Sequence, residues 1–64
     1  MVQDFNEIVR LFTDYKRRNQ KYAPTYREAE TKIALDIGYT NTVKLGDRVK
    51  RNTGMTPAKW FSTL

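Results

Sequence analysis

Ile33-Ala34-Leu35-Asp36-Ile37-Gly38-Tyr39-Thr40-Asn41-Thr42-Val43 is the stretch that decides how this chain folds, because it closes one helix and opens another within a few residues. Upstream of Gly38, the residues Tyr26, Ala29, Ile33, Ala34 and Ile37 recur at helical spacing and form one apolar face. Gly38 stands where a left-handed C-terminal residue stops such a helix. Thr40 and Asn41 are both good N-cap types, and Val43, Leu45 and Val49 resume helical spacing over 42–52. Two helices joined so closely, with glycine ending the first and a capping residue opening the second, have the local grammar of a helix-turn-helix.

Working outward, Thr25-Tyr26-Arg27-Glu28 fits a capping box that starts the upstream helix. The threonine hydroxyl accepts from the Glu28 N–H, and the glutamate carboxylate is expected to return to the N–H of Thr25. Pro24 ends the element before it, since proline lacks an N–H and pushes the preceding residue out of the helical region. Over 2–15, the apolar residues Val2, Phe5, Ile8, Val9, Phe12 and Tyr15 predict a first helix with one apolar face. Asp4 and Glu7 near its start, and Lys16, Arg17, Arg18 and Lys21 near its end, carry the signs the helix dipole favours. That basic run has two readings: an auxiliary grip on phosphates, or a solvated face that complements the dipole. Downstream, Gly54 ends the third helix, and Thr56-Pro57 caps a short final helix over 57–61 that carries Trp60 and Phe61. The expected fold is a single all-α domain over 1–64, of three helices and a short fourth, containing a helix-turn-helix.

Length and composition narrow the function. Sixty-four residues hold one small core, and the absence of Cys and His removes disulfides, thiol nucleophiles, imidazole bases and most zinc arrangements. Twelve Lys and Arg against seven Asp and Glu leave a net charge of +5, which either attracts a polyanion or merely keeps a small domain in solution. No apolar run approaches a membrane span, and the first twenty residues lack an apolar signal core, so the chain is expected to be cytoplasmic. Catalysis has little to work with. Glu28, Glu30 and Asp36 read as a cap and solubilising charges, and Gly38, Gly46 and Gly54 are too scattered for a phosphate loop. No enzymatic activity, metal or cofactor is expected. Gly46 is costly inside a helix, so it either permits close approach of a partner backbone or is tolerated.

The third helix and its flanks are the remaining candidate site. Thr40, Asn41, Thr42, Lys44, Asp47, Arg48, Lys50 and Arg51 supply short polar groups at its start and cations towards its end. Such a helix can enter a major groove, its early residues reaching base edges and its cations meeting phosphates. The competing reading is an exposed helix whose charges only keep it wet. Aromatic residues are not interleaved with the cations, which favours duplex over single-stranded nucleic acid.

Ala34-Leu35-Asp36-Ile37-Gly38-Tyr39, then Leu45, Val49-Lys50-Arg51, and Gly54-Met55-Thr56-Pro57 followed by Trp60 resemble, without a gap, the helix-turn-helix of AraC/XylS-type transcription regulators. The likeness covers 33–60. It implies that Thr42, Val43, Lys44, Gly46 and Asp47 face bases, with Asn41, Arg48, Lys50 and Arg51 nearer the DNA backbone. The chain departs from the family pattern at Leu45 and Val49, where phenylalanine is preferred, and at Asp47, where arginine is common. Phe61 likewise stands where a basic residue often follows the closing aromatic. The family's DNA-binding region has two such motifs, and this chain has length for one. Two copies would then have to associate, which makes the aromatic face of 2–15 a candidate homodimer surface as well as a core face. The expected function is DNA-binding transcriptional regulation, with helix 42–51 inserted into the major groove of double-stranded DNA. The alternative is a small protein-binding modulator of a transcription or host factor, of the phage or mobile-element type, that reuses the fold without specific DNA readout.

Overall fold

Asp4 opens the first helix: its extended backbone aims the side-chain carboxylate back to accept from the Asn6 N–H at 3.0 Å. The computed structural model describes residues 4–39 and 42–64. Helix α1 is Phe5–Arg18, and Val2, expected to belong to it, lies outside the described residues. The helix runs one turn beyond the apolar pattern, because Lys16-Arg17-Arg18 are good helix formers with the right charge for its C-terminus. Asn19 closes it, donating from both its backbone N–H and its amide to the Tyr15 carbonyl, at 3.1 and 2.9 Å. Pro24 therefore does not terminate α1. It follows a separate 3-10 turn, Gln20–Tyr22, and Ala23, which takes a left-handed backbone at φ 46°.

Helix α2, Tyr26–Asp36, starts at Thr25 as expected, with the hydroxyl accepting from the Glu28 N–H at 3.3 Å. The return half of the capping box differs. The Thr25 hydroxyl donates to the Glu28 carboxylate at 3.1 Å, so the two side chains meet each other. At the other end Gly38 has φ 84°, its N–H reaches Leu35 O at 3.3 Å, and the Tyr39 N–H reaches Ala34 O at 2.9 Å. This is the paired bonding of a Schellman stop, and it needs the positive φ that glycine allows. Helix α3 is Val43–Thr53. Thr40 and Asn41, the expected caps, lie outside the described residues. Thr42 occupies the cap position in a helical conformation with no side-chain bond to the backbone. Gly54, at φ 72°, stops α3, and Thr56 caps α4, Pro57–Ser62, accepting from the Lys59 N–H at 3.4 Å.

The core draws on all four helices: Ile8 and Phe12 from α1, Ala29, Ile33 and Ala34 from α2, Leu45 and Val49 from α3, Trp60 and Phe61 from α4. Phe12 is its centre. The ring stacks on Tyr26 at 5.3 Å and 11°, and meets Trp60 and Phe61 edge-on at 5.2 and 6.0 Å. Each such side chain contributes about 1.5–3 kcal/mol by burial, with a further ~0.5–1.5 kcal/mol for well-placed ring pairs. Phe61, which departs from the family pattern, is thus a core residue. The apolar face of α1 is taken up here as well, since Ile8 and Phe12 are fully buried and Phe5, Val9 and Tyr15 pack around them. The core-face role expected of it is therefore met within one molecule. Among the described residues no helix is long and apolar enough to cross a membrane.

Candidate nucleic-acid interface

Helix α3 is anchored by two side chains. Leu45 and Val49, one turn apart, are completely buried, which fixes the rotation of the helix about its axis. The opposite side then carries Val43, Lys44, Asp47, Lys50 and Arg51, all exposed, with Val43 at 76%. Four cations, Lys44, Arg48, Lys50 and Arg51, stand against one carboxylate, Asp47, and leave α3 a net +3. Lys50 and Arg51 lie in the last turn, where the C-terminal end of the helix dipole favours them.

Two flanking positions complete the geometry. Arg48 is half-buried and donates to the Tyr39 hydroxyl at 3.3 Å, tying α3 to the chain just after α2. Asp47 forms an ion pair with Arg51 at 3.6 Å, exposed and one turn apart, and both line a shallow depression with Lys44 and Arg48. Pairs of this kind contribute only a few tenths of a kcal/mol, so they are easily exchanged for other partners.

Gly46, expected to face bases, is half-buried and lies towards α2 and α4. A methyl group placed on it would lie 3.3 Å from Glu30 Oε2, 3.6 Å from the Tyr26 hydroxyl and 3.7 Å from Pro57 Cγ. Here α3 lies close against side chains of α2 and α4. What the missing side chain of Gly46 accommodates is not a partner backbone but three side chains of this same chain. Burial raises the ionisation of the Tyr26 phenol well above its ordinary value of 10.0, and the Glu30 carboxylate beside it pushes in the same direction. Among the described residues that hydroxyl has no hydrogen-bond partner.

Of the remaining expected site residues, Asn41 lies outside the described residues and Thr42 is half-buried at the start of α3. The basic run at the end of α1 divides. Lys16 is structural: its ammonium donates to Phe61 O at 2.9 Å and Leu64 O at 3.1 Å, and sits 5.1 Å from the Phe61 ring centroid. It neutralises the carbonyl end of α4. Arg18 pairs with Asp14 at 3.1 Å, while Arg17 and Lys21 are exposed. Tyr39 was missed as a positioning residue for Arg48; only its place after Gly38 was legible, not its reach across nine positions. Among the described residues no three acidic, Cys or His side chains gather as metal ligands.

No known family, curated protein or solved structure matches this chain.

Proposed function

We propose that this chain is a DNA-binding transcription regulator of the AraC/XylS type, with α3 as the helix that enters the major groove. The observation that carries the reading is the division of α3: Leu45 and Val49 hold it from beneath while its outward face presents Val43, Lys44, Asp47, Lys50 and Arg51 with a positive balance. A rigid cationic helix about 10–12 Å across with its side chains suits the width of the groove. Its cations meet phosphates and release counterions, and its central residues face base edges. The spacing of Gly38, Gly54 and Pro57 about α3, and the aromatic close at Trp60, support the family assignment.

The test is a mobility-shift titration on duplex DNA across a salt series. Each phosphate contact contributes about 0.9 to the slope of log affinity against log salt. The double variant Lys50→Glu with Arg51→Glu is expected to lower that slope by roughly 2 and to weaken binding at 50 mM salt more than tenfold. Unchanged affinity at low salt, or no salt-dependent binding by the parent chain, refutes the reading.

A second reading, a small protein-binding modulator of a transcription or host factor, is favoured by exposed Leu35 and Val43 and by the acid at Asp47. It predicts a protein partner whose capture survives nuclease treatment and is lost on changing Val43 or Asp47.

A further inference from the structure

Asp47 is the one residue of the exposed face of α3 whose charge opposes DNA. Its side chain is 61% exposed and lies on the outward face between Val43, one turn earlier, and Arg51, one turn later. A carboxylate placed against phosphates repels them. Only a hydrogen-bond donor in the groove can satisfy it, because an ionised carboxylate accepts and never donates. Of the groups on the floor of the major groove, guanine N7 and O6 and thymine O4 are acceptors and repel it, while cytosine N4 and adenine N6 donate. At adenine the donor is flanked by the N7 acceptor, whereas the cytosine amine has no acceptor beside it on its own base. Cytosine is therefore the base this side chain selects.

We propose that Asp47 sets the sequence preference of α3 by accepting from the exocyclic amine of a cytosine, with Val43 packed on a thymine methyl group about two base pairs away. This rests on the reading of α3 as a helix lodged in the major groove. Four residues of helix advance the chain by about 6 Å. Base pairs are stacked about 3.4 Å apart, so the two side chains fall about two steps from one another. Val43, 76% exposed, has the apolar surface a thymine methyl requires. The Asp47–Arg51 pair is loose, at 3.6 Å, and gives way without hindrance. Arg51 then turns to a phosphate or to the guanine that pairs with the selected cytosine. Lys44, Arg48 and Arg51 share the depression that Asp47 lines, which keeps the surroundings of the carboxylate positive as the backbone approaches.

The experiment is selection of duplexes from a randomised pool by the full chain at 50 mM salt, followed by titration of the selected duplex and its single-base variants. The parent chain is expected to enrich cytosine at one position, with thymine two steps away, and to lose about fivefold in affinity when that cytosine is replaced. Asp47→Asn is expected to move the preference to adenine, whose N6 and N7 an amide can bridge. Asp47→Ala is expected to flatten it while binding mixed-sequence DNA at least as tightly as the parent. Because Asp47 is exposed, circular dichroism of both variants should match the parent. Salt-dependent binding with no base enriched, or a preference that is the same in all three proteins, overturns the role of Asp47 and leaves DNA binding standing. Absence of salt-dependent binding overturns both, and so does a nuclease-resistant protein partner that competes for α3.

Discussion

Replacing Lys16 by methionine separates a structural cation from a DNA-contacting one. Methionine keeps the aliphatic stem and deletes the ammonium, which holds the Phe61 and Leu64 carbonyls at 2.9 and 3.1 Å and lies 5.1 Å from the Phe61 ring centroid. A half-buried, charge-assisted bond of this type is worth about 1.5 kcal/mol, the interaction with the end of a helix ~0.3–1, and the ring contact ~0.5–1. These overlap, because one ammonium makes all of them, and the expected loss is about 2 kcal/mol. For a domain of this length each kcal/mol moves the melting temperature by roughly 4–8 °C, so Lys16→Met should melt about 8–16 °C lower. Thermal melting followed by far-ultraviolet circular dichroism reads the shift directly. The salt slope of DNA binding, measured where the variant is folded, should match the parent. A variant that melts within about 2 °C of the parent but loses about 1 from the salt slope would show Lys16 holding a phosphate, and would refute its role at the end of α4.

Three further perturbations probe the body of the fold. Phe12→Ala removes the ring around which Tyr26, Trp60 and Phe61 are arranged, at a cost of about 3–5 kcal/mol; a domain this small should then be largely unfolded in a urea titration extrapolated to water. Tyr26→Phe removes a buried hydroxyl that makes no well-formed hydrogen bond beside the Glu30 carboxylate, and should leave neutral stability within about 1 kcal/mol of the parent. The phenol's ionisation is raised in the folded state, so its contribution is fully present below pH 10.0 and is lost as pH rises from there towards the folded value; Tyr26→Phe should flatten that alkaline decline in chemical denaturation. Gly46→Leu forces a side chain into a gap where a single methyl already meets Glu30 Oε2 at 3.3 Å, and should lower the urea midpoint by an amount equivalent to about 1–3 kcal/mol.

Local punctuation was the legible part of this fold. Thr25, Gly38, Gly54 and Thr56-Pro57 act through bonds to residues within five positions of themselves, and the sequence places those partners side by side. The anchors of α3 were legible for the same reason, since Leu45 and Val49 need only helical spacing to share a face. What was not legible depends on contacts between distant segments. Lys16 reads as a dipole-complementing or phosphate-binding cation until α4 brings Phe61 O to it from 45 positions away. Gly46 is ambiguous until Glu30 and Pro57 occupy the space in front of it, and Arg48 reads as a surface cation until Tyr39 folds against it. The end of α1 was expected at Pro24, whereas Asn19 closes the helix after Arg18 by donating twice to the Tyr15 carbonyl, a capping bond that neither apolar periodicity nor the proline signals.

The same contacts explain how so small a domain keeps a helix face open. A six-residue helix such as α4 does not persist alone, so it exists because Trp60 and Phe61 are buried beneath it and Lys16 holds its end. Once formed, α4 presents Pro57 beside Gly46, while α2 presents Glu30 on the same side, and α3 settles closely against both. Close approach at Gly46 and full burial of Leu45 and Val49 fix the inner side of α3. Burial is thereby concentrated on one side of α3 and charge on the other. Val43, Lys44, Asp47, Lys50 and Arg51 stand exposed on the side away from this core. Under the proposed function, a new target would be read by exchanging those surface side chains while the core that aims them is left intact.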